Sequence, residues 1–286
     1  MKATERMIRA GNVALASWSV GEGTPVVVLG GPWLGHSYLQ SLVDHLGRDF
    51  RVITYDARGA GQSSALTADQ ITLDGHVDDL ERLRVGLGLE RLNLIGHSFG
   101  AHVSILYAAL HRQTTASLVL ANPGPPLDRE MQEMLHQAFV KGHTGEEKTR
   151  MKEIESSPGF ADKDARTHEE YFKTLYAAFF KDRKYLSDLQ FRFTPTTAQY
   201  ALDAEEQLVH QLLERDPAGR LRMITCPTLV VHAEQDLIPE AFSRSIAGGI
   251  RGAEFAKLSG VGHFAYLENP ILFTSTLATF LKRNAR

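Results

Sequence analysis

The chain has 286 residues, of which 43% are hydrophobic and 23% charged, and a formal net charge of −3. This is the composition of a soluble globular protein, and it gives no reason to expect nucleic acid or a membrane as a partner. Cys226 is the only cysteine, so an internal disulfide is excluded. Residues 1–10 lack the apolar core of a signal peptide and no apolar run reaches membrane-spanning length, so we expect a cytoplasmic protein.

The first part of the chain alternates short apolar strands with helices. Two strands are expected around a turn at Gly11-Asn12, and later helices are expected at Tyr38–Leu46 and Asp74–Val85, with Asp74 as a helix N-cap. The remaining strands are predicted from β-branched or apolar runs. The predicted strands are Glu5–Ala10, Val13–Val20, Pro25–Leu29, Arg51–Tyr55, Leu92–Ile95 and Ser117–Ala121. This alternation predicts an α/β fold with a mostly parallel sheet flanked by helices.

A different pattern begins after the proline-rich run that follows Asn122. Residues 127–221 contain no β-branched run, and helices are expected at Met131–Lys141, Glu169–Phe180 and Thr196–Glu214. This predicts a helical cap inserted after the sixth strand, with aromatic side chains such as Phe139 and Tyr176 forming an apolar roof. The expected domains are a core of 1–124 and 223–286 with a cap of 125–222.

The second part of the core resumes the strand and helix alternation. Strands are predicted at Pro227–Ala233 and Ala253–Leu258, each followed by a loop. The last helix is expected to start with Asn269 as its N-cap and Pro270 at its first position. The glycine-rich loop 56–63 lacks a phosphate-binding signature, and we interpret Asp56 and Arg58 as a structural pair that fixes it.

The most informative motif is Gly96-His97-Ser98-Phe99-Gly100, which lies between a predicted strand and a predicted helix. G-x-S-x-G in this context is the nucleophile elbow of an α/β-hydrolase, in which a strained turn exposes the serine hydroxyl above the sheet. The loop Gly30–Gly35 follows another strand, where the fold takes its second oxyanion N–H. We therefore expect Ser98 as the nucleophile and the backbone N–H groups of Trp33 and Phe99 as the oxyanion hole.

Asp236 and His263 each follow a predicted strand, as Ser98 does. All three therefore lie at the carboxyl edge of the predicted sheet, and their order along the chain is nucleophile, acid, base. Asp236 is expected to orient His263, which acts as the base for Ser98. Glu234 is the alternative acid, whereas Asn122 cannot be an ionised acid. No H-E-x-x-H or Cys/His cluster indicates a metal, and no cofactor is expected.

These motifs resemble those of the α/β-hydrolase superfamily over nearly the whole chain. Gly30-Gly31-Pro32, the loop 56–63 and the Ser98 elbow are similar to those of its proline iminopeptidase branch. The resemblance implies cofactor-free hydrolysis, although Trp33 replaces the usual fourth glycine. Leu237 stands where some members carry the carboxylate that binds a substrate amine, and Glu169, Glu170, Glu205 or Glu206 are possible substitutes. The candidate substrate-binding residues are Gly31, Trp33, His97, Phe139, Tyr176 and Leu237.

The sequence thus predicts a serine hydrolase that cleaves a small ester, amide or short peptide through an acyl-enzyme. Three alternatives use the same fold: a prolyl aminopeptidase, a carbon–carbon bond hydrolase and a ligand receptor without turnover. The substrate and the oligomeric state are not encoded in any of these motifs, because the cap decides specificity.

Overall fold

The computed structural model describes residues 3–10, 13–67, 70–124, 128–215 and 217–285, so the turn expected at Gly11-Asn12 lies outside the described residues. Eight strands form one sheet in the order β1-β2-β4-β3-β5-β6-β7-β8. β2 is antiparallel to β1 and β4, and the other pairs are parallel, which confirms the mostly parallel sheet. The strands are β1 (Thr4–Ala10), β2 (Val13–Val20), β3 (Pro25–Leu29), β4 (Arg51–Tyr55), β5 (Leu92–His97), β6 (Thr115–Ala121), β7 (Thr228–Ala233) and β8 (Glu254–Leu258).

Helices cover both faces of this sheet. Every residue of the central strands β5, β6 and β7 is buried, as expected for parallel strands covered on two sides. The helices that follow core strands are α1 (Gln40–Leu46), α2 (Leu73–Gly86), α3 (Gly100–Leu110), α10 (Glu240–Gly249), α11 (Ala265–Glu268) and α12 (Pro270–Asn284). α3 is buried over all but its last residue, because it packs directly on β5 and β6.

The described chain between β6 and β7, which we call the insertion, contains helices and no strand. Its α-helices are α4 (Arg129–Gly142), α5 (Gly145–Glu155), α6 (Pro158–Ala161), α7 (Ala165–Tyr176), α8 (Pro195–Leu213) and α9 (Pro217–Arg222). Two 3₁₀ helices, Ala177–Phe179 and Arg183–Asp188, connect α7 to α8. Phe172 and Leu208 are fully buried, so the insertion has apolar packing of its own.

Capping explains where two of the helices begin. The Asn269 side chain accepts the N–H of Leu272 and Pro270 occupies the first turn of α12, which confirms the predicted start. The expected N-cap of α2 is wrong. Thr72 caps this helix, and Asp74 lies in the first turn, where it pairs with Arg215 of the insertion at 2.8 Å.

The predicted pair between Asp56 and Arg58 is also wrong. Arg58 makes two hydrogen bonds of 2.6 Å to the buried carboxylate of Asp79, whose planar geometry matches the guanidinium. The Asp56 oxygens instead accept the N–H groups of His36 and Gln62, each at 2.8 Å. The loop after β4 is therefore fixed by two separate carboxylates.

Candidate active site

Ser98 lies in the sharp turn between β5 and α3 and has a φ of 56°. This left-handed conformation is strained for a residue other than glycine or asparagine. The flanking glycines allow the turn because a Cβ on Gly96 would lie 2.5 Å from the Gly100 carbonyl oxygen, and one on Gly100 would lie 2.4 Å from that of Leu29. The backbone therefore has the form that places a serine hydroxyl above a sheet edge.

His263 and Asp236 form a buried pair at the same edge. The Nδ1 atom of His263 lies 2.8 Å from one carboxylate oxygen of Asp236, and both side chains are at most 1% exposed. The other Asp236 oxygen accepts the N–H of Ile238 at 2.9 Å. A hydrogen bond to a carboxylate oxygen needs a donor, so Nδ1 is the donor of this contact and Nε2 is the ring nitrogen that does not face Asp236. The alternative acid Glu234 instead lies 3.4 Å from Lys257 at the surface.

The two backbone N–H groups expected to form an oxyanion hole belong to residues at helix starts. Trp33 lies in the first turn of the 3₁₀ helix Pro32–Leu34, and Phe99 is the N-cap of α3. N–H groups at these positions have no acceptor within their own helix. The two rings contact each other edge to face, with centroids 5.0 Å apart. Both residues line the same small cavity as Ser98.

This cavity has a volume of about 70 Å³ and lies between the core and the insertion. The core contributes the elbow, the Trp33 loop and Ile238, and the insertion contributes apolar side chains and one carboxylate. The lining residues are Trp33, Ser98, Phe99, Gly124, Leu135, Tyr176, Phe179, Glu205, Val209 and Ile238. This volume is smaller than that of a pocket that encloses a drug-sized ligand.

Glu205 on α8, one of the four carboxylates named above as possible substitutes for the amine-binding group, is part of the lining. Burial raises the pKa of its carboxyl group to about 7. Burial, and then the nearby charge of Glu205, raises the pKa of the Tyr176 hydroxyl well above its ordinary value. The indole N–H of Trp33 is buried near that hydroxyl without forming a good hydrogen bond to any described residue. The cavity therefore offers one carboxylate and one unsatisfied donor.

The structure places two predicted substrate-binding residues, Trp33 and Tyr176, at the cavity and four elsewhere. His97 is fully buried beneath it and bonds to the backbone of His263. The Phe139 ring contacts that of His143 in a tilted arrangement with centroids 4.1 Å apart, and Leu237 packs towards Gly142. The N–H of Gly31 is held by the Tyr38 hydroxyl at 2.9 Å. The spacing of residues in the sequence does not show which side chains line the cavity and which pack against neighbouring residues instead.

The pattern of α8 favours Glu205 as a buried carboxylate. Ala201, Ala204 and Leu208 are buried on one side of this helix, and Glu205 follows directly after Ala204. A carboxylate at the border of an apolar helix face is a signal for a buried charge.

The insertion also contacts the His263 loop directly. The N–H of His263 donates to the carbonyl oxygen of Phe179 at 2.8 Å. A Cβ on Gly262 would lie 2.5 Å from that same oxygen, so the two segments approach too closely for a side chain. The carboxylate of Glu268 accepts N–H groups from both segments, those of Gly262 and Asp182.

Other features of the described chain do not compete with this site. A larger groove of about 650 Å³ lies at the opposite end of the sheet among Arg6, Arg48 and Arg51, and its lining contains no histidine. Among the described residues no cluster of three or more potential metal ligands occurs. None of the helices in the described ranges is long and apolar enough to cross a membrane.

The sheet order, the elbow and the loop residues together define a hydrolase-type α/β protein. The chain belongs to the alpha/beta hydrolase fold family, whose model matches residues 24–270.

The chain is 26% identical over 252 residues to a putative carbamate hydrolase RutD of Yersinia enterocolitica, covering 85% of this chain and 82% of the relative. It is 23% identical over 261 residues to a proline iminopeptidase of Saccharolobus solfataricus, with coverages of 90% and 84%. This confirms the resemblance to the proline iminopeptidase branch. The enol-lactonase of Burkholderia xenovorans has the same fold, with a TM-score of 0.68, 22% identity and coverages of 97% and 100%.

Proposed function

We propose that the protein is a serine hydrolase that cleaves a small ester or amide through an acyl-enzyme. The observation that carries this proposal is the strained Ser98 on the same sheet edge as the buried His263–Asp236 pair. A nucleophile, a base and an acid that orients the base are the parts that acyl transfer requires.

In the proposed reaction, Ser98 Oγ bonds to the substrate carbonyl carbon while Nε2 of His263 takes the hydroxyl proton. The carbonyl electron pair moves onto oxygen, where the N–H groups of Trp33 and Phe99 stabilise it. When the intermediate collapses, the leaving alkoxide or amine takes the proton from His263 and the acyl group remains on Ser98. Water then attacks that ester by the same steps and releases the acid.

The relatives support acyl chemistry on small substrates. Their names are carbamate hydrolase, proline iminopeptidase and enol-lactonase. We infer that in this chain the insertion acts as a cap over Ser98 and limits the size of the substrate, since the cavity between them is small.

A prolyl aminopeptidase is the second candidate, and Glu205 is the observation that favours it. A carboxylate buried in an apolar cavity is costly unless a cation or hydrogen-bond donor pairs with it. A free α-amine on a substrate held at Ser98 would supply that partner. In this version Glu205 takes the place of the carboxylate that Leu237 does not provide.

One microplate assay of substrate turnover compares these candidate functions. The wild type is assayed with L-proline p-nitroanilide and with p-nitrophenyl esters of increasing acyl length. Ser98→Ala is the blank, and Ser104→Ala on α3, which removes only a hydroxyl bonded to the Gly100 carbonyl at 2.8 Å, is the matched control. A fluorophosphonate probe followed by intact mass reports whether Ser98 is nucleophilic without any assumption about the substrate.

Turnover that is lost in Ser98→Ala and kept in Ser104→Ala supports the hydrolase. A clear preference for the prolyl anilide, lost in Glu205→Gln, selects the aminopeptidase, whereas turnover of short esters alone selects an esterase. Full activity in Ser98→Ala contradicts the proposal. Probe labelling without turnover of any of these substrates favours a carbon–carbon substrate, and neither labelling nor turnover favours a receptor.

A further inference from the structure

Asn122, the residue directly after β6, connects the two loops that carry Asp236 and His263. It is 1% exposed, and its side-chain Nδ2 donates to the backbone carbonyl oxygen of His263 at 2.6 Å. Its Oδ1 accepts the N–H of Ala233 at 3.0 Å, and the carbonyl of Ala233 accepts the N–H of Asp236. One amide group thus bridges the loop of the acid and the loop of the base.

The His263 carbonyl has a second donor, Nε2 of His97, at 3.1 Å. Burial, and then the neighbouring His263, lowers the pKa of His97 well below its ordinary value, so its ring is neutral. Because the carbonyl can only accept, the proton of that neutral ring is on Nε2. The backbone N–H of His263 donates to the carbonyl oxygen of Phe179. Both polar groups of the His263 backbone are therefore held in place.

Asparagine is suited to this position for two reasons. Its φ is 46°, a left-handed conformation that asparagine tolerates better than most residues. Its side chain offers a donor and an acceptor at the same length, which the Nδ2 and Oδ1 contacts both need. An apolar residue would leave the buried N–H of Ala233 without a partner and the His263 carbonyl with His97 as its one remaining donor among the described residues.

We propose that Asn122 is a positioning residue for the hydrolase reaction, and that it acts with His97 by fixing the backbone of His263. With the backbone fixed, the imidazole keeps Nδ1 on Asp236 and Nε2 towards Ser98. This inference rests on the proposed serine hydrolase function, because that function makes His263 the base whose position Asn122 fixes.

The main test is Asn122→Asp, with Asn93→Asp as the matched control. Aspartate keeps the shape, the tolerance of a left-handed backbone and the acceptor for Ala233, but it replaces the amide donor with an oxygen that faces the His263 carbonyl. Asn93 is another buried asparagine that bridges two partners, Pro25 and Ser117, at the far end of β5. Circular dichroism and thermal unfolding establish that both variants fold.

The rate of Ser98 labelling by a fluorophosphonate and the kcat/KM for the best ester are measured at pH 8. We expect Asn122→Asp to lose roughly 10- to 100-fold in both, because displacement of a catalytic group by about 1 Å costs about that much. The loss is expected in kcat with little change in KM. Asn93→Asp is expected to retain the wild-type values, and equal rates in the two variants would overturn the proposal.

A second pair of variants tests the same carbonyl without adding charge. His97→Leu removes the Nε2 donor, and His97→Gln places an amide donor at a similar reach. Slow labelling in His97→Leu with recovery in His97→Gln supports the proposal even if Asn122→Asp does not fold, whereas equal rates in both refute it. The low-field proton signal of the His263–Asp236 hydrogen bond should broaden in Asn122→Asp and His97→Leu only. Failure of the wild type to label Ser98 would instead refute the hydrolase function itself.

Discussion

Glu205→Gln should make the protein more stable in alkaline solution while it weakens the binding of any amine substrate. Burial raises the pKa of Glu205 from 4.5 to about 7. Between these two values the folded chain holds a proton that the unfolded chain releases, so stability falls as pH rises through this window and stays lower above pH 7. Glutamine has no carboxyl group to ionise, so the stability of the variant does not fall in this pH window.

The size of the gain follows from the pKa shift. Each pKa unit corresponds to about 1.4 kcal/mol, so the shift from 4.5 to about 7 sets an upper limit between about 3 and 4 kcal/mol. Part of the Glu205 side chain is open to the cavity, and we therefore expect a gain of about 2 kcal/mol at pH 8. For a chain of this size this corresponds to a rise of roughly 5 °C in Tm. Below pH 4.5 the variant and the wild type should be equally stable.

Urea unfolding at pH 4.5 and pH 8, followed by tryptophan fluorescence, measures this difference. Glu206→Gln is the matched control, because Glu206 is the next residue on α8 and is exposed to solvent. Equal stability of Glu205→Gln and the wild type at pH 8 would refute the reasoning, because the carboxylate would then not be desolvated. A gain that is the same at both pH values would show that packing, and not ionisation, is responsible.

Three further outcomes are expected. Ser98→Gly should abolish turnover and raise the free energy of unfolding by about 1 kcal/mol, because glycine relieves the left-handed backbone strain. Urea unfolding measures this gain, and an unchanged free energy of unfolding would contradict the strain argument. Asp236→Asn should retain the fold and lower kcat by about 10⁴-fold in a steady-state assay, because Nδ1 no longer faces a carboxylate. Arg58→Ala should cost about 3 kcal/mol in the same unfolding assay, because it removes both 2.6 Å hydrogen bonds to the buried Asp79 and leaves the more distant Arg82, at 3.6 Å, as the remaining partner. Arg150→Ala at the exposed surface should leave the unfolding curve nearly unchanged.

The sequence predicted well the features that depend on local patterns of residues. The strand and helix alternation, the glycines around Ser98 and the Asn269-Pro270 helix start each depend on neighbouring residues, and the structure contains all of them. The loops of Asp236 and His263 were expected at one sheet edge because parallel strands end together. Their pairing at 2.8 Å is the contact that this topology makes possible.

The features that were missed depend on contacts between distant parts of the chain. Arg58 has Asp79 within reach only because α2 packs beside the loop after β4, so the nearer Asp56 was chosen instead. The link from Asn122 to His263 spans 141 positions, and no pattern around Asn122 indicates it. Glu205 was one of four candidate carboxylates, and the sequence did not show which of them faces the cavity, because the orientation of α8 depends on packing against the core.

The hydrogen bond from the His263 N–H to the Phe179 carbonyl has a consequence for protein engineering. Because the segment between β6 and β7 is proposed to limit the substrate, a natural engineering step is to exchange it between proteins of this fold. Here that segment supplies one of the contacts that hold His263, the proposed base, and Gly262 leaves no room for a different approach. A chimera should therefore retain residues 177–182 from this chain, whatever helices are exchanged around them. If the proposed function holds, exchange of this segment changes substrate selectivity and the position of His263 together.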